Sequence, residues 1–406
     1  MKIVFCTYDD KSAINGINIW LLNLLPALKA KGFSVSVIYY SWAPEHECST
    51  IPLLKDLGIE CYRISCKRYL EREVKWILNQ VKVLQPDIFV ANHILQAWYA
   101  VQWIEKAGIP TIGVIHNDDI EYNLLIDSFL GNKNNGMTAC VAVSSKLYKN
   151  LLSNCSNLNI KQIPCGTPVF AEKACLNSGK AFKIFYVGRL ANKQKNISLV
   201  ATTLVETIEK IPNVEAYIYG SGPDDKDVIE IINMSNEPNK INLKGIVNND
   251  VIREDILNAQ VIILMSDYEG LPVAIMEAMA AGVVPICKET ESGLSELIID
   301  NYTGLFIENS SDFIDKIKHL QNNPKEWERL STNAKLHIER NFGSQRVVED
   351  WVDLFEEVKS KNKLQLQIPR NIKLPKNEIN NVLGEHREPS LIKKMKSKLI
   401  SIYKNA

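Results

Sequence analysis

Short apolar runs separated by amphipathic stretches fill the first part of the chain, and this alternation limits its fold more than any other feature. KIVFC (2–6), SVSVIYY (34–40), DIFVANH (87–93) and TIGVIH (111–116) read as strands, with helices over 17–31, 70–84 and 94–107 between them. ACVAVS (139–144) continues the series, and QIPCGTPVF (162–170) reads as a closing strand and exit loop. Strand and helix in regular succession predict a parallel sheet covered on both faces. The pattern then restarts. FKIFYVGRL (182–190), EAYIYGSG (215–222), KINLKGIV (240–247), VIILMS (261–266) and VVPIC (283–287) follow, beyond a polar linker at 171–180. A chain of 406 residues exceeds one ordinary core, so two α/β domains are expected.

In such sheets ligands bind beyond the carboxyl ends of the strands. The residues that follow each strand are therefore the candidates. In the second half these are Arg189 and Lys195, then Gly220 and Gly222 of GSGP, then Gly245 and Val247 of GIV, and finally DYEGLP. In that last loop Glu269, Gly270 and Leu271 precede Pro272, which suits a first helical turn, and Gly282 ends the helix. Glu277 lies about 7 Å along it at ~1.5 Å per residue. A helix start offers unpaired N–H groups and a positive dipole end to an anion. With Arg189 and Lys195 beside it, the combination reads as a diphosphate site with a nucleoside along the carboxyl ends of the strands. In the first half, Gly16 precedes a helix whose start can face the same anion, and His116 stands at a strand end. Asn117 and Asp118 are its neighbours, Asn92 and His93 are weaker candidates, and Ser144 is a helix cap.

Composition narrows the partners. Lys+Arg 47 balances Asp+Glu 47, which gives no pull toward nucleic acid. Nine cysteines, an odd number without paired spacing, point to a reducing compartment, and Cys61 and Cys66 have no second pair to complete a zinc site. MKIVFCTYDD opens as a strand and not as a secretory leader. The uncharged runs 12–28 and 88–104 are interrupted by Asn, Gln or His and fall short of a membrane span. A cytoplasmic protein is expected. Asp225-Lys226-Asp227 fits an Asp-x-Asp pattern, but it follows GSGP at a helix start, where acidic residues favour the dipole. No metal and no cofactor are expected.

GRL with Lys195-Asn196, then GSGP, LKG, EGLPVAIMEAMAAGVVPI and Thr303-Gly304-Leu305 together resemble the retaining GT-B glycosyltransferases of family 4. The Glu-x7-Glu signature stands intact as Glu269 and Glu277. The resemblance covers roughly residues 1–355 and is strongest over 184–310. It implies two Rossmann-like domains facing across a cleft: an acceptor domain over 1–172 and a donor domain over 181–341. A helix over 342–360 would cross back to the first domain.

It also implies roles. Glu277 would accept hydrogen bonds from the ribose of a UDP- or GDP-sugar, and Glu269 would contact the sugar hydroxyls. The N–H groups of Gly270 and Leu271 would cradle phosphate, and Arg189 and Lys195 would neutralise the leaving diphosphate. The Arg-to-Lys separation is six where the family more often shows five, so Lys193 competes with Lys195. The family commonly has two glycines where this chain keeps Gly16 alone. His116 would hydrogen-bond the donor sugar or stabilise charge at the reaction centre, with Asn117 and Asp118 beside it for acceptor contact. The two-carboxylate logic of glycosidases does not transfer, because a neutralised nucleoside diphosphate leaves readily.

The reaction implied is transfer of a hexose to a glycan or lipid-linked acceptor of a surface polysaccharide. The alternatives are transfer to a small metabolite or sugar phosphate, and an inert sugar-nucleotide-binding subunit. Residues 361–406 carry eleven Lys/Arg against three Glu, and 391–404 place apolar residues on one helical face with lysines opposite. That profile suits an anionic membrane surface. It equally suits a helix packed on the first domain, or a tail without fixed structure.

Overall fold

The computed structural model describes residues 1–9, 16–65, 69–130, 136–155, 157–176, 179–247, 249–290, 292–360, 362–375 and 378–382. The strands form two sheets. The first contains β1 (Lys2–Asp9), β2 (Ser34–Ser41), β3 (Glu60–Ser65), β4 (Ile88–Ala91), β5 (Thr111–Ile115), β6 (Ala139–Ala142) and β7 (Asn159–Gln162), ordered β3-β2-β1-β4-β5-β6-β7. The second contains β8 (Phe182–Val187), β9 (Val214–Tyr219), β10 (Ile241–Gly245), β11 (Val261–Leu264), β12 (Val284–Lys288) and β13 (Leu305–Ile307), ordered β10-β9-β8-β11-β12-β13. Every pairing is parallel. In both sheets the strand order reverses beside the first strand of the lobe, and such reversals open the crevices that ligands use.

Central strands such as β4, β6 and β11 are buried along their whole length, which accounts for their continuous apolar runs. The helices Gly16–Ala30, Leu70–Leu84 and Leu95–Lys106 lie over the first sheet where amphipathic periodicity places them. Three elements depart from the sequence reading, one of them β13, whose three residues are too few to stand out as a strand. β3 (ECYRIS) is a half-exposed edge strand, and its polar side chains hide it among loop residues. The closing strand is β7 and not a strand within 162–170, where Pro164 and Pro168 lack the N–H a ladder needs. The polar linker is also shorter than its composition suggests. Ala174 is buried and its N–H donates to Ala281 O at 2.7 Å, so the crossing to the second lobe is complete before residue 174.

The chain returns at Phe342–Gly343. There Thr167 N donates to Phe342 O and Ser344 N donates to Thr167 O, both at 3.0 Å. The helix Ser344–Val358 then packs on the first lobe through Trp351, whose ring lies 5.8 Å from Trp20 and 6.2 Å from Phe5. The described residues beyond it stay on that lobe: Leu364 N donates to Ala107 O, Ile379 is buried, and Tyr99 Oη donates to Asn380 Oδ1 at 2.9 Å. The stretch 391–404 lies outside the described residues. Among the described residues no helix is long and apolar enough to cross a membrane.

Truncating a fully buried tryptophan costs about 3–5 kcal/mol. Trp351→Ala is expected to lower the urea midpoint of the first lobe accordingly, and Trp351→Phe to cost much less. An unchanged midpoint in the alanine variant would mean that this helix is not part of the lobe's core.

Candidate active site

The carboxyl ends of β8 and β11 are tied together by the loop Gly188–Asn196. Asp267 N donates to Gln194 O at 2.9 Å, Gln194 Nε2 to Tyr268 O at 3.1 Å, and Asn196 Nδ2 to Met265 O at 3.0 Å. These bonds carry Lys195 to Glu269, with Nζ 2.5 Å from Oε1 and both groups mostly withdrawn from solvent. Lys193 is exposed instead. Arg189 is more peripheral, its Nη2 3.5 Å from Gln194 Oε1.

The neighbouring strand ends meet backbone to backbone. A Cβ on Gly220 would overlap the Gly188 carbonyl, and Gly220 N donates to Gly245 O at 2.8 Å. Gly220 is therefore required by contact between adjacent loops. A Cβ on Gly222 would likewise overlap Leu190 O, and Gly222 N donates to Asp225 Oδ1 at 2.6 Å. Asp225 thus closes its own turn at the start of the helix Asp225–Asn233. Gly245 stands in open space, with Val247 two residues beyond it.

The helix after β11 spans Val273–Ala280. Pro272 is its N-cap residue and not part of its first turn: the Pro272 carbonyl accepts from Ile275 N and Met276 N. The N–H groups ahead of these have no intrahelical acceptor. Glu269 and Glu277 are both buried, one in the loop and one on the helix. Gly16 begins the helix Gly16–Ala30 directly opposite. A Cβ placed on it would stand 3.6 Å from Val273 Cγ2. Two helix N-termini from separate lobes therefore adjoin, with Glu269 on the loop leading into one of them and Lys195 paired to it from the loop after β8.

On the first lobe, parallel register sets Tyr8 of β1, His93 after β4 and His116 after β5 along one sheet edge. The His116 ring is buried. Its Nε2–H donates to Asn92 Oδ1 at 3.0 Å, Cys165 Sγ lies 4.0 Å from Nδ1, and the Trp20 ring packs edge-on at 5.0 Å. Burial, reinforced by the nearby His93, pushes the His116 pKa down to about 3, so the ring is neutral. Burial also pushes the Cys165 thiol up to about 12. Asp118 pairs with Lys146 at 2.5 Å, and Asn117 Nδ2 donates to Asp119 Oδ2 at 3.0 Å. Ser144 caps the helix Ser145–Asn154.

The lobes touch at this edge. A Cβ on Gly270 would overlap the His116 carbonyl oxygen. Glu296 reaches across, accepting from Ser145 N at 2.6 Å and from Gln162 Nε2 at 3.0 Å. Arg253 Nη2 donates to Asn23 Oδ1 at 3.2 Å. Gln194, Glu296 and Cys165 escaped the sequence reading, since each acts on a partner remote in the chain and carries no local signature. Among the described residues no three His, Cys, Asp or Glu side chains gather as metal ligands.

The depressed His116 pKa has a pH consequence. Between its folded value of about 3 and the ordinary value of 6.5 the unfolded chain binds a proton that the native ring refuses. Stability should therefore fall as pH drops through that window, by on the order of 1 kcal/mol per unit from this group. The His116 ring resonances are expected to stay flat from about pH 8 to about pH 5 in NMR titration. A midpoint inside that range would show a ring open to water.

Known proteins share this architecture. The family described as "Glycosyltransferase Family 4" matches residues 14–169, and "Glycosyl transferases group 1" matches residues 170–337. Alpha-monoglucosyldiacylglycerol synthase of Acholeplasma laidlawii is 22% identical over 355 residues, 80% of this chain and 89% of that protein. Poly(ribitol-phosphate) alpha-N-acetylglucosaminyltransferase of Staphylococcus aureus is 26% identical over 163 residues, 40% of this chain. That match spans 33% of the Staphylococcus protein's own length. The crystal structure of Anabaena HepE in complex with UDP and glucose superposes with a TM-score of 0.70 at 15% identity, covering 88% of this chain and 99% of that one. With one family match on each lobe and the fold shared throughout, the chain belongs to the group 1, family 4 glycosyltransferases of the GT-B fold.

Proposed function

We propose that the protein is a retaining hexosyltransferase that takes a UDP- or GDP-sugar and glycosylates a glycan or lipid-linked acceptor in surface polysaccharide synthesis. The observation that carries this reading is the meeting of two helix N-termini, at Gly16 and Val273, near Lys195 and Glu269. Two positive dipole ends and an ammonium suit a diphosphate, and their stabilisation grows as the leaving group gains charge. Lys195 is the favoured phosphate contact because it stands inside the site with Glu269, while Lys193 faces solvent. Arg189 is a supporting charge at the rim. Backbone N–H groups of Gly270 and Leu271 hold phosphate, Glu269 takes sugar hydroxyls, and Glu277 takes the ribose from its place along the helix. A neutral His116 brings no positive charge to the reaction centre, which leaves hydrogen bonding as the role its ring can fill.

Relatives support the substrate classes. Beside the glycolipid synthase and the polymer-modifying enzyme above, a Streptococcus pneumoniae relative 29% identical over 189 residues is named UDP-N-acetylglucosamine–peptide N-acetylglucosaminyltransferase, GtfA subunit. Two of these names carry alpha linkages, which fits retention of an alpha-configured donor.

Turnover of UDP-glucose, UDP-N-acetylglucosamine and GDP-mannose tests the reading. Lys195→Ala and Glu269→Ala are each expected to lower kcat by about 10²–10³, and Glu277→Ala to raise the donor KM. An undiminished kcat in the first two, or a beta-linked product by NMR, would overturn the mechanism. The basic stretch 391–404 is assigned to an anionic membrane surface. Deleting residues 383–406 leaves the packed segment through Val382 in place and should abolish co-sedimentation with phosphatidylglycerol vesicles; unchanged sedimentation removes that role.

A further inference from the structure

Trp42 follows β2 at the sheet edge that carries the candidate site, and it is 56% exposed. An indole this open is unusual unless something covers it. It does not stand alone. Tyr40 packs edge-on to it at 5.1 Å and Tyr8 at 6.5 Å. Tyr8 in turn meets His93 edge-on at 6.1 Å, and His93 stacks on Tyr122 at 4.5 Å. The strand order β2-β1-β4 produces this row, since Tyr8 pairs with Tyr40 in register and His93 follows the strand on the other side.

At its inner end the row becomes polar. Glu121 Oε2 lies 3.4 Å from His93 Nε2, and its side chain is 42% exposed. The nearby His93 imidazole holds the Glu121 carboxyl below its usual range, and Lys193 on the donor lobe adds to this. The row thus runs from an open indole to a carboxylate–imidazole pair within the field of the donor loop.

We propose that Trp42 packs on the apolar face of an acceptor pyranose with Tyr8 at its side, and that the sugar's hydroxyls point toward the His93–Glu121 pair. The occupant is a carbohydrate and not an acyl chain, because an acyl chain has no use for the carboxylate and imidazole that end the row. A pyranose needs both: C–H groups on one face for aromatic rings, and equatorial hydroxyls for a carboxylate. This inference deepens the transferase reading and rests on it. Asn117 and Asp118, already engaged with Asp119 and Lys146, then sit beside the acceptor instead of gripping it.

Saturation-transfer NMR on the full chain with UDP present tests this. The probes are the methyl glycosides of glucose, galactose and N-acetylglucosamine. Wild type should transfer saturation to the ring protons of one face of at least one of them. Trp42→Ala should weaken that glycoside by about tenfold or more, Trp42→Phe should restore most of the signal, and Glu121→Gln should weaken it with the indole intact. No transfer to any of the three, or the same signal in Trp42→Ala, overturns the proposal. So does loss of phosphatidylcholine vesicle binding in Trp42→Ala with sugar binding unmoved, which would give the indole to lipid. Thermal shifts with UDP and GDP separate the two levels. If neither nucleotide shifts wild type, the donor reading has failed; if the shift persists while the glycoside result fails, only the acceptor proposal has.

Discussion

The close approach of Gly270 to the carbonyl of His116 sets the spacing on which the rest of the site depends. No side chain fits between the two lobes at that point. Because Gly270 immediately precedes Leu271 and Pro272, the same contact fixes where the helix Val273–Ala280 points. It also brings the start of that helix to Gly16. Two helix ends can act on one anion only when both are held together, and a backbone-only contact is the closest approach two segments can make. Glu296 supports it from the side, since its carboxylate lies at the N-terminal end of the helix Ser145–Asn154, where negative charge is favoured.

The Lys195–Glu269 pair adds a second constraint. Ion pairs withdrawn from water are held by their mutual attraction against a desolvation cost, and removing one partner leaves the other uncompensated. Lys195 keeps its place because Gln194 and Asn196, on either side of it, are bonded to the β11 exit. The loop is thereby shaped from both flanks, and the ammonium between them has little freedom to wander. Such preorganisation is what electrostatic stabilisation of a leaving group requires.

Much of this was legible in the sequence where local order suffices. The apolar runs of β8 and β11 mark themselves, and Pro272 and Gly282 bracket the helix between β11 and β12, which places Glu269 before that helix and Glu277 on it. Legibility fails where polarity blurs an edge strand, as in ECYRIS for β3 and NIKQ for β7. It fails again where partners are far apart in the chain. His116 meets Asn92 across 24 positions and Cys165 across 49, and only the parallel register brings them together. Trp42 gave no signal because one tryptophan after a strand is unremarkable until its neighbours in space are known. The lobe contacts of Glu296 and Gly270 depend on two domains at once, which no single periodicity encodes.

The two passages of the chain between lobes are bound side by side, Thr167 on the outward passage and Phe342 to Ser344 on the return. A molecule joined this way resembles a door with its hinge plates riveted to one post. Any relative movement that spares those bonds has to swing about them and cannot slide. The Gly270–His116 contact stands close to that pivot, since Cys165, two residues before Thr167, lies 4.0 Å from the His116 ring, so a swing opens it through a short arc and the far ends of the sheets through a longer one. Admission of one ligand and departure of another would then share a single angular coordinate, and the stiffness of that short ladder would govern both.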